Sequence, residues 1–283
     1  FNTPLDTKDP YSDGKPVYFQ DKETGEYIVT DDRKNSVPNY DSRFKTILPR
    51  MWSTEGRHKG HYVKWANFKG KPIRYQDASG ETKVINSPTL GENLAYLFNY
   101  QVTWMYARYF MWNFAGKQND VQGHGNVIHG NWLSGIKFID EMRLGTQDNL
   151  PEMITDSKAN NKYYMLPLIL GIIGLVFQFR RDNKDGSIVL LLFFFTGLAI
   201  VLYLNQYPLQ PRERDYAYAA SFYAFAIWIG LGVYALYDIV SRGKGNSVVA
   251  IGVTALTLIG VPGIMASENW DDHSRANRST GRD

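Results

Sequence analysis

Residues 216–240 read YAYAASFYAFAIWIGLGVYALYDIV, and this stretch decides the fold. It is apolar along almost its whole length, and its one charge, Asp238, comes close to its end. A helix rises about 1.5 Å per residue, so a run of this length crosses a hydrocarbon core of ~30 Å. Three further runs have the same character: 163–179 (YYMLPLILGIIGLVFQF), 187–204 (SIVLLLFFFTGLAIVLYL) and 247–266 (SVVAIGVTALTLIGVPGIMA). Short polar loops join them. Helices of soluble cores are apolar on one face, and uninterrupted runs with such brief connections are foreign to them. The expected fold is mainly α: a polytopic α-helical membrane protein with four transmembrane helices. An extramembrane segment precedes them, and a polar tail over 267–283 follows.

Details within the runs fit helices packed in lipid. Gly171 and Gly174, Gly230 and Gly232, and Gly252, Gly260 and Gly263 offer small surfaces for close helix approach. Pro262 predicts a kink in the fourth run or marks its last turns. Tyr163, Tyr164, Tyr203, Tyr216, Tyr218 and Tyr237 stand at run ends, where an interfacial belt would place them. The loops at 180–186 and 241–246 carry Arg180, Arg181, Lys184, Arg242 and Lys244. The opposite face carries Lys158, Lys162, Arg212, Arg214, Arg275 and Arg278. The first two loops are shorter and denser in positive charge, which predicts that they are cytoplasmic. Residues 1–162, the loop at 205–215 and the tail then lie outside, on the periplasmic side of a bacterial inner membrane.

Whole-chain averages conceal this division. The mean hydropathy is −0.33, an ordinary soluble value, because a polar half is averaged with an apolar one. The net charge of +3 is small and scattered, which argues against nucleic acid as a partner. No cysteine is present, so disulfides and thiolate metal sites are excluded. The chain opens on Phe1 with neither a basic nor an apolar leader, and we expect it to be a C-terminal piece of a longer protein.

The polar half falls into two parts. Residues 1–90 read as loops and short hairpins: 17–20 and 27–30 flank a turn-rich segment, and 72–76 and 82–86 flank another. Thr89 and Glu92 then form a capping box that opens a helix running to about Asn113. That helix carries Tyr96, Phe98, Tyr100, Trp104, Tyr106, Tyr109, Phe110 and Trp112, with Arg108 its one basic residue. It reads as an aromatic amphipathic helix lying in the interface or lining a groove, with a fifth span or a soluble core helix as alternatives. A Gly/His-rich loop completes the part spanning 91–162. There Lys117, Asn119, Asp120, His124, His129, Asn131 and Trp132 are candidates to contact a hydroxyl-rich or phosphate ligand. His124 and His129 with Asp120 admit a divalent metal, against the plainer reading of a loop ordered by its own hydrogen bonds. The most informative loop is QPRERDYAY at 210–218. Four charges in a row, Arg212, Glu213, Arg214 and Asp215, abut the start of a span. An Arg guanidinium forks onto phosphate oxygens, so the cluster reads as an anion site at the bilayer surface or as a self-paired juxtamembrane anchor. Past the fourth run, the stretch from Glu268 to His273 adds carboxylates to the same face.

The runs NFAGKQND (113–120), GHGNVIHGNW (123–132), LYLNQYPLQPRERDYAYAASFYAFAIWIGLG (202–232) and ASENWDDH (266–273) resemble a bacterial membrane family labelled a domain of unknown function. That family is itself similar to eukaryotic transmembrane protein O-mannosyltransferases and is placed with the GT-C glycosyltransferases. The resemblance covers the chain from about residue 27 onward. It implies an integral-membrane glycosyltransferase that moves a mannose-like sugar from a lipid-linked phosphate donor to Ser or Thr of exported proteins. The implied donor is a polyprenyl-phosphate-linked sugar, and the implied partners are membrane lipid, lipid-linked sugar and an exported acceptor protein. The GT-C pattern places the catalytic acid in a loop upstream of Phe1, so no catalytic residue is assigned here. A transporter or flippase for lipid-linked or anionic substrates is the alternative, and a membrane scaffold is a third; nearly charge-free spans count against transport.

Overall fold

The computed structural model describes residues 4–76 and 79–270. Asp77 and Ala78 of the second hairpin turn, and Asp271, Asp272, His273, Arg275 and Arg278 of the tail, lie outside the described residues. The chain is mainly helical and forms two compact units, Phe1–Asn99 and Tyr100–Asp283.

The first unit is built from two-stranded antiparallel pairs and one helix. β1 (Tyr11–Ser12) pairs with β4 (Val37–Pro38), and β2 (Val17–Gln20) pairs with β3 (Tyr27–Asp31). Helix α1 (Gly56–Ala66) follows, then β5 (Lys71–Gln76) paired with β6 (Thr82–Ser87). Both hairpins expected from turn chemistry are present. Their strands are largely exposed, so this unit's order comes from elsewhere. Its interior gathers His58 and Tyr62 of α1 with Met51, Asn93 and Tyr96, the rings of Tyr62 and Tyr96 meeting edge to face at 5.1 Å. Asn93 Oδ1 accepts from the backbone N–H of Arg50 (2.7 Å) and Met51 (3.1 Å). The capping box at Thr89 forms as expected and opens α2 (Leu90–Tyr96). Burial works against the Glu92 charge. The N–H groups of Gly70, Thr89 and Lys69 and the Thr89 hydroxyl outweigh it, holding the carboxyl down at about 2.

α2 runs on through a π-helical stretch, Leu97–Ala107, into α3 (Arg108–Phe114). Then come β7 (Gly116–Lys117), α4 (Lys137–Leu144), the short α5 (Glu152–Thr155) and β8 (Asn161–Lys162), which pairs with β7. The apolar runs follow as α6 (Leu166–Arg181), α7 (Asn183–Thr196), α8 (Leu198–Leu204) and α9 (Ala219–Ser241). The last run forms α10 (Ser247–Leu258), a π-turn at Ile259–Gly263 and α11 (Ile264–Asn269).

Among the described residues, three helices are long and apolar enough to cross a membrane: Asn183–Leu204, Asp215–Ser241 and Ser247–Asn269. They coincide with the second, third and fourth expected spans. The first does not reach that length. Tyr164 and Met165 both adopt positive φ (53° and 56°), a conformation that side-chain-bearing residues take at a turn and not in a helix. α6 can therefore begin only at Leu166. It has 16 residues, a rise of about 24 Å. The kink at Pro262 takes the form of the π-turn, in which Ile264 N–H still reaches the carbonyls of Ile259 and Val261. Outward-facing Ile188, Phe195, Ile259 and Leu256 remain between 60% and 74% exposed, so these helices present a large apolar surface.

α6 and α9 form the tightest pair in this unit. A side chain at Gly174 would strike the Trp228 carbonyl and Gly232 N, one at Gly232 would strike the Leu170 carbonyl, and one at Gly171 would strike the Phe225 ring. Gly230, Gly252 and Gly260, expected to serve likewise, have no neighbour within 4 Å of an added Cβ. The tyrosine belt is also partly corrected. Tyr164, Tyr203 and Tyr216 are exposed, but Tyr163 and Tyr218 are buried, because one packs against a cavity wall and the other against Tyr106.

Candidate functional site

Four-residue spacing along the helix through residues 104–114 gives its faces separate tasks. Tyr106, Phe110 and Phe114 turn toward the apolar helices. Tyr106 packs on Val201 and Tyr218, and Phe110 and Phe114 lie 4.8 and 4.6 Å from the Phe225 ring. Trp104, Arg108 and Trp112 form the adjacent stripe. The Arg108 guanidinium lies 4.3 Å from the Trp104 ring, 4.2 Å from Tyr109 and 4.9 Å from Trp112, a stack that suits a planar cation. The aromatics of this helix are mostly buried.

Arg108 ties three segments together. Nε donates to the Trp104 carbonyl at 3.0 Å, Nη1 to the Gly130 carbonyl at 2.8 Å, and Nη2 to Glu213 Oε2 at 2.7 Å. Arg108 is 3% exposed and Glu213 9%, so this is a buried ion pair, the kind that is costly unless fully hydrogen-bonded. The Tyr109 hydroxyl donates to the same Glu213 oxygen. Burial first, and then the Glu213 charge, push the Tyr109 phenol far above its ordinary value against the opposing pull of Arg108, so it stays a neutral donor.

The Gly/His-rich loop is closed by its own amides. Asn119 accepts from Gly130 N–H at 2.9 Å and donates to the Ile128 carbonyl at 3.0 Å. Asn131 donates to Gln118 Oε1 and to the Asn126 carbonyl, and Gln118 donates to the Val127 carbonyl. Gly130 has φ +66°, and a side chain there would meet Val121, Gly123 and Arg108.

These segments surround a cavity of about 510 Å³. Tyr109, Trp112 and Asn113 line it from the aromatic helix, Lys117, Asp120 and Gln122 from the loop, and Arg212, Glu213 and Asp215 from the charged cluster. Tyr163, Met265 and Asn269 complete it. Tyr163 precedes α6, Asp215 leads into α9 and Asn269 ends α11, so the cavity lies at one end of the apolar helices. Lys117 Nζ stands 5.8 Å from the Trp112 ring. Arg212 and Asp215 are exposed to the cavity, whereas Glu213 is committed to Arg108. Asn269 donates to the Tyr163 hydroxyl at 2.7 Å and accepts from Asn161 at 2.8 Å. The Trp112 indole N–H has no hydrogen-bond partner among the described residues.

Of the candidates read from the sequence, Lys117, Asp120, Arg212, Glu213 and Asp215 thus converge. Arg214 is exposed and does not line the cavity. Asn119 and Asn131 are buried and spent on the loop's own backbone, so they are positioning residues and not ligands. Trp132 is capped by Arg143, whose guanidinium lies 3.4 Å from the ring centroid and whose pKa burial lowers to about 10. His124 is exposed and His129 half-buried, and neither lines the cavity. Among the described residues no three His, Asp or Glu side chains come together to hold a metal ion. Glu268 accepts from Lys162 N–H at 2.8 Å, which gives that carboxylate a structural post. Sequence reasoning named Tyr109 and Trp112 as helix aromatics but not as site residues. It missed Gln122, Asn269 and the anchoring role of Arg108, whose signal was its solitary charge in an aromatic run.

Residues 1–98 match the model of a family of unknown function (DUF8416). No curated protein and no solved structure matches the chain.

Proposed function

We propose that the chain acts as an integral-membrane glycosyltransferase that takes a sugar from a lipid-linked phosphate donor. The carrying observation is the composition and place of one cavity. It sets two cations, two exposed carboxylates, three amides and three aromatic rings at one end of helices long and apolar enough to span a bilayer. Aromatic faces with amides and carboxylates are the chemistry of sugar recognition. Arg212 and Lys117 supply the charge that a phosphate leaving group needs as the sugar–oxygen bond breaks. In that reaction the acceptor hydroxyl oxygen attacks the anomeric carbon, the phosphate departs with the bonding electrons, and a base takes the hydroxyl proton. Asp120 and Asp215 are assigned to sugar hydroxyls, and no residue of this chain is assigned as the base. The acceptor in this reading is a Ser or Thr of an exported protein. The cavity face is outside the cytoplasm, opposite the basic junction of α6 and α7 at 180–186 and the basic segment at 241–246. α6 acts as a fourth, short span, held by its close packing on α9.

A flippase reading draws support from the kinks at Gly197 and Pro262. At each kink the helix resumes its hydrogen bonding at once, Val201 N–H reaching the Gly197 carbonyl at 3.1 Å and Ile264 N–H the Ile259 carbonyl, which favours the transferase reading over transport. The test is transfer of sugar from a polyprenyl-phosphate donor to an exported peptide by the full-length protein in vesicles. Arg212→Ala and Lys117→Ala should each lower turnover about 10- to 100-fold, while Arg214→Ala, outside the cavity, leaves it within twofold. Equal effects of all three would remove the phosphate assignment.

A further inference from the structure

We propose that the groove between α6 and α9, at the helix ends opposite the polar cavity, binds an anionic glycerophospholipid. This rests on the membrane reading above and not on the transferase reading. The groove has a volume of about 610 Å³. Its walls are Ile172, Val176 and Phe177 of α6 and Ile239 of α9, and its rim is Arg180 and Arg181. Ile172 and Ile239 are 50% and 68% exposed, so the apolar floor is open along its side. From Ile172 to Arg181 the helix rises about 13 Å, long enough to bed the glycerol-proximal half of an acyl chain. A ligand that fits must be apolar along the helix and anionic at the level of its last turn.

The rim is prepared for such a head group. The Arg181 guanidinium is held 3.2 Å from the Tyr234 hydroxyl and 5.3 Å from that ring's centroid. Arg180 lines the same groove, and a guanidinium forks onto the oxygens of a phosphodiester. Asp238 is the one carboxylate in the groove lining, and it faces the pair from α9. Asp182 stands between α6 and α7 and Asp185 in the first turn of α7, outnumbered by Lys184, Arg242 and Lys244 with the two rim arginines. Juxtamembrane basic groups of this density attract anionic lipid.

The experiment is native mass spectrometry of the full-length protein, extracted from membranes and incubated with phosphatidylglycerol or phosphatidylcholine of equal chain length. Wild type should retain phosphatidylglycerol at least fivefold over phosphatidylcholine. Arg180→Gln with Arg181→Gln should abolish the preference, and Asp238→Asn should raise it, a gain that misfolding cannot mimic. Inorganic phosphate should not displace the lipid. No preference in wild type, an unchanged preference in the double variant, no gain in Asp238→Asn, or displacement by phosphate would each overturn the proposal. Release of the chain from membranes by alkaline carbonate would overturn the membrane reading itself. Loss of sugar transfer with lipid preference intact would touch only the transferase.

Discussion

The two units are held by different physics. Residues 1–99 keep their order by carrying polar side chains to backbone groups: Asn93 to Arg50 and Met51, Glu92 to Lys69 and Gly70, and the Tyr62 hydroxyl, which accepts from Ser53 N–H at 3.2 Å. Residues 100–283 add rings and close backbones to such bonds: Phe114, Phe225 and Trp228 in one cluster, Gly174 against Gly232, and the buried ion pair Arg108–Glu213, beside the amides of the 118–131 loop and the Asp140 carboxylate that accepts from Ser134 and Gly135 N–H. Hydrogen bonds to an ionised carboxylate are pH-dependent and tolerate changes of volume. Packed rings and apposed backbones are the reverse. The Glu92 site of the first unit should therefore respond to acid, and the α6–α9 contact of the second to added or missing atoms.

The largest effect should come from the buried ion pair of the second unit. Glu213→Ala leaves Arg108 buried without its carboxylate and should cost about 3–5 kcal/mol. The readout is thermal melting of the full-length protein in detergent. Replacing both partners with apolar residues, Arg108→Met with Glu213→Leu, should recover much of the loss, because an absent pair costs less than a broken one. If the double variant melts no higher than Glu213→Ala, the ion pair is not what the single change exposes. Next in size is Gly174→Val, which forces α6 from α9 and should cost about 1–3 kcal/mol. Gly252→Val, with open space around it, should stay within about 0.5 kcal/mol. Equal effects at the two glycines would deny that close backbone approach distinguishes them.

The same contrast decides what could be read in advance. The long apolar helices over 183–204, 215–241 and 247–269 were legible because an apolar run of sufficient length has few alternatives to a helix able to cross a membrane. The hairpins and the Thr89–Glu92 box were legible because each depends on residues two to six apart. The shortened start of α6 was not, since nothing in Tyr163-Tyr164-Met165 announces left-handed backbone at two side-chain-bearing residues. Likewise, small size at Gly171 and Gly252 reads alike, and only the neighbouring helix separates them. At the site, the charges of 212–215 marked the place but not the division of labour. Glu213 turns inward because Arg108, about a hundred positions earlier, needs a partner, and Arg212 and Asp215 are thereby left to face the cavity. Asn119 and Asn131 looked like ligand-binding amides because an amide is chemically the same whether it bonds a sugar or a carbonyl of its own loop.

The smallest expected effect tests the first unit's half of the contrast. Glu92 has an ordinary value of 4.5 and is held at about 2 in the folded protein. A carboxyl depressed on folding stabilises at every pH above its unfolded value, and that contribution is lost as pH falls through the folded value. The stabilisation is thus complete above about pH 5 and disappears between there and pH 2. Glu92 is partly exposed, so solvent screening reduces the contribution to roughly 1–2 kcal/mol. The measurement is amide hydrogen exchange at Lys69, Gly70 and Thr89, whose N–H groups the carboxylate accepts, corrected for intrinsic exchange at each pH. Their protection should fall by about one order of magnitude over that window, corresponding to the same free energy. In Glu92→Gln it should be lower throughout and flat with pH. Amides of α9, such as Trp228 and Gly232, should show no such slope, because their protection comes from packing that no proton can reach. A matching slope in α9 would mean that the two units do not differ in kind and that a single titration loosens both.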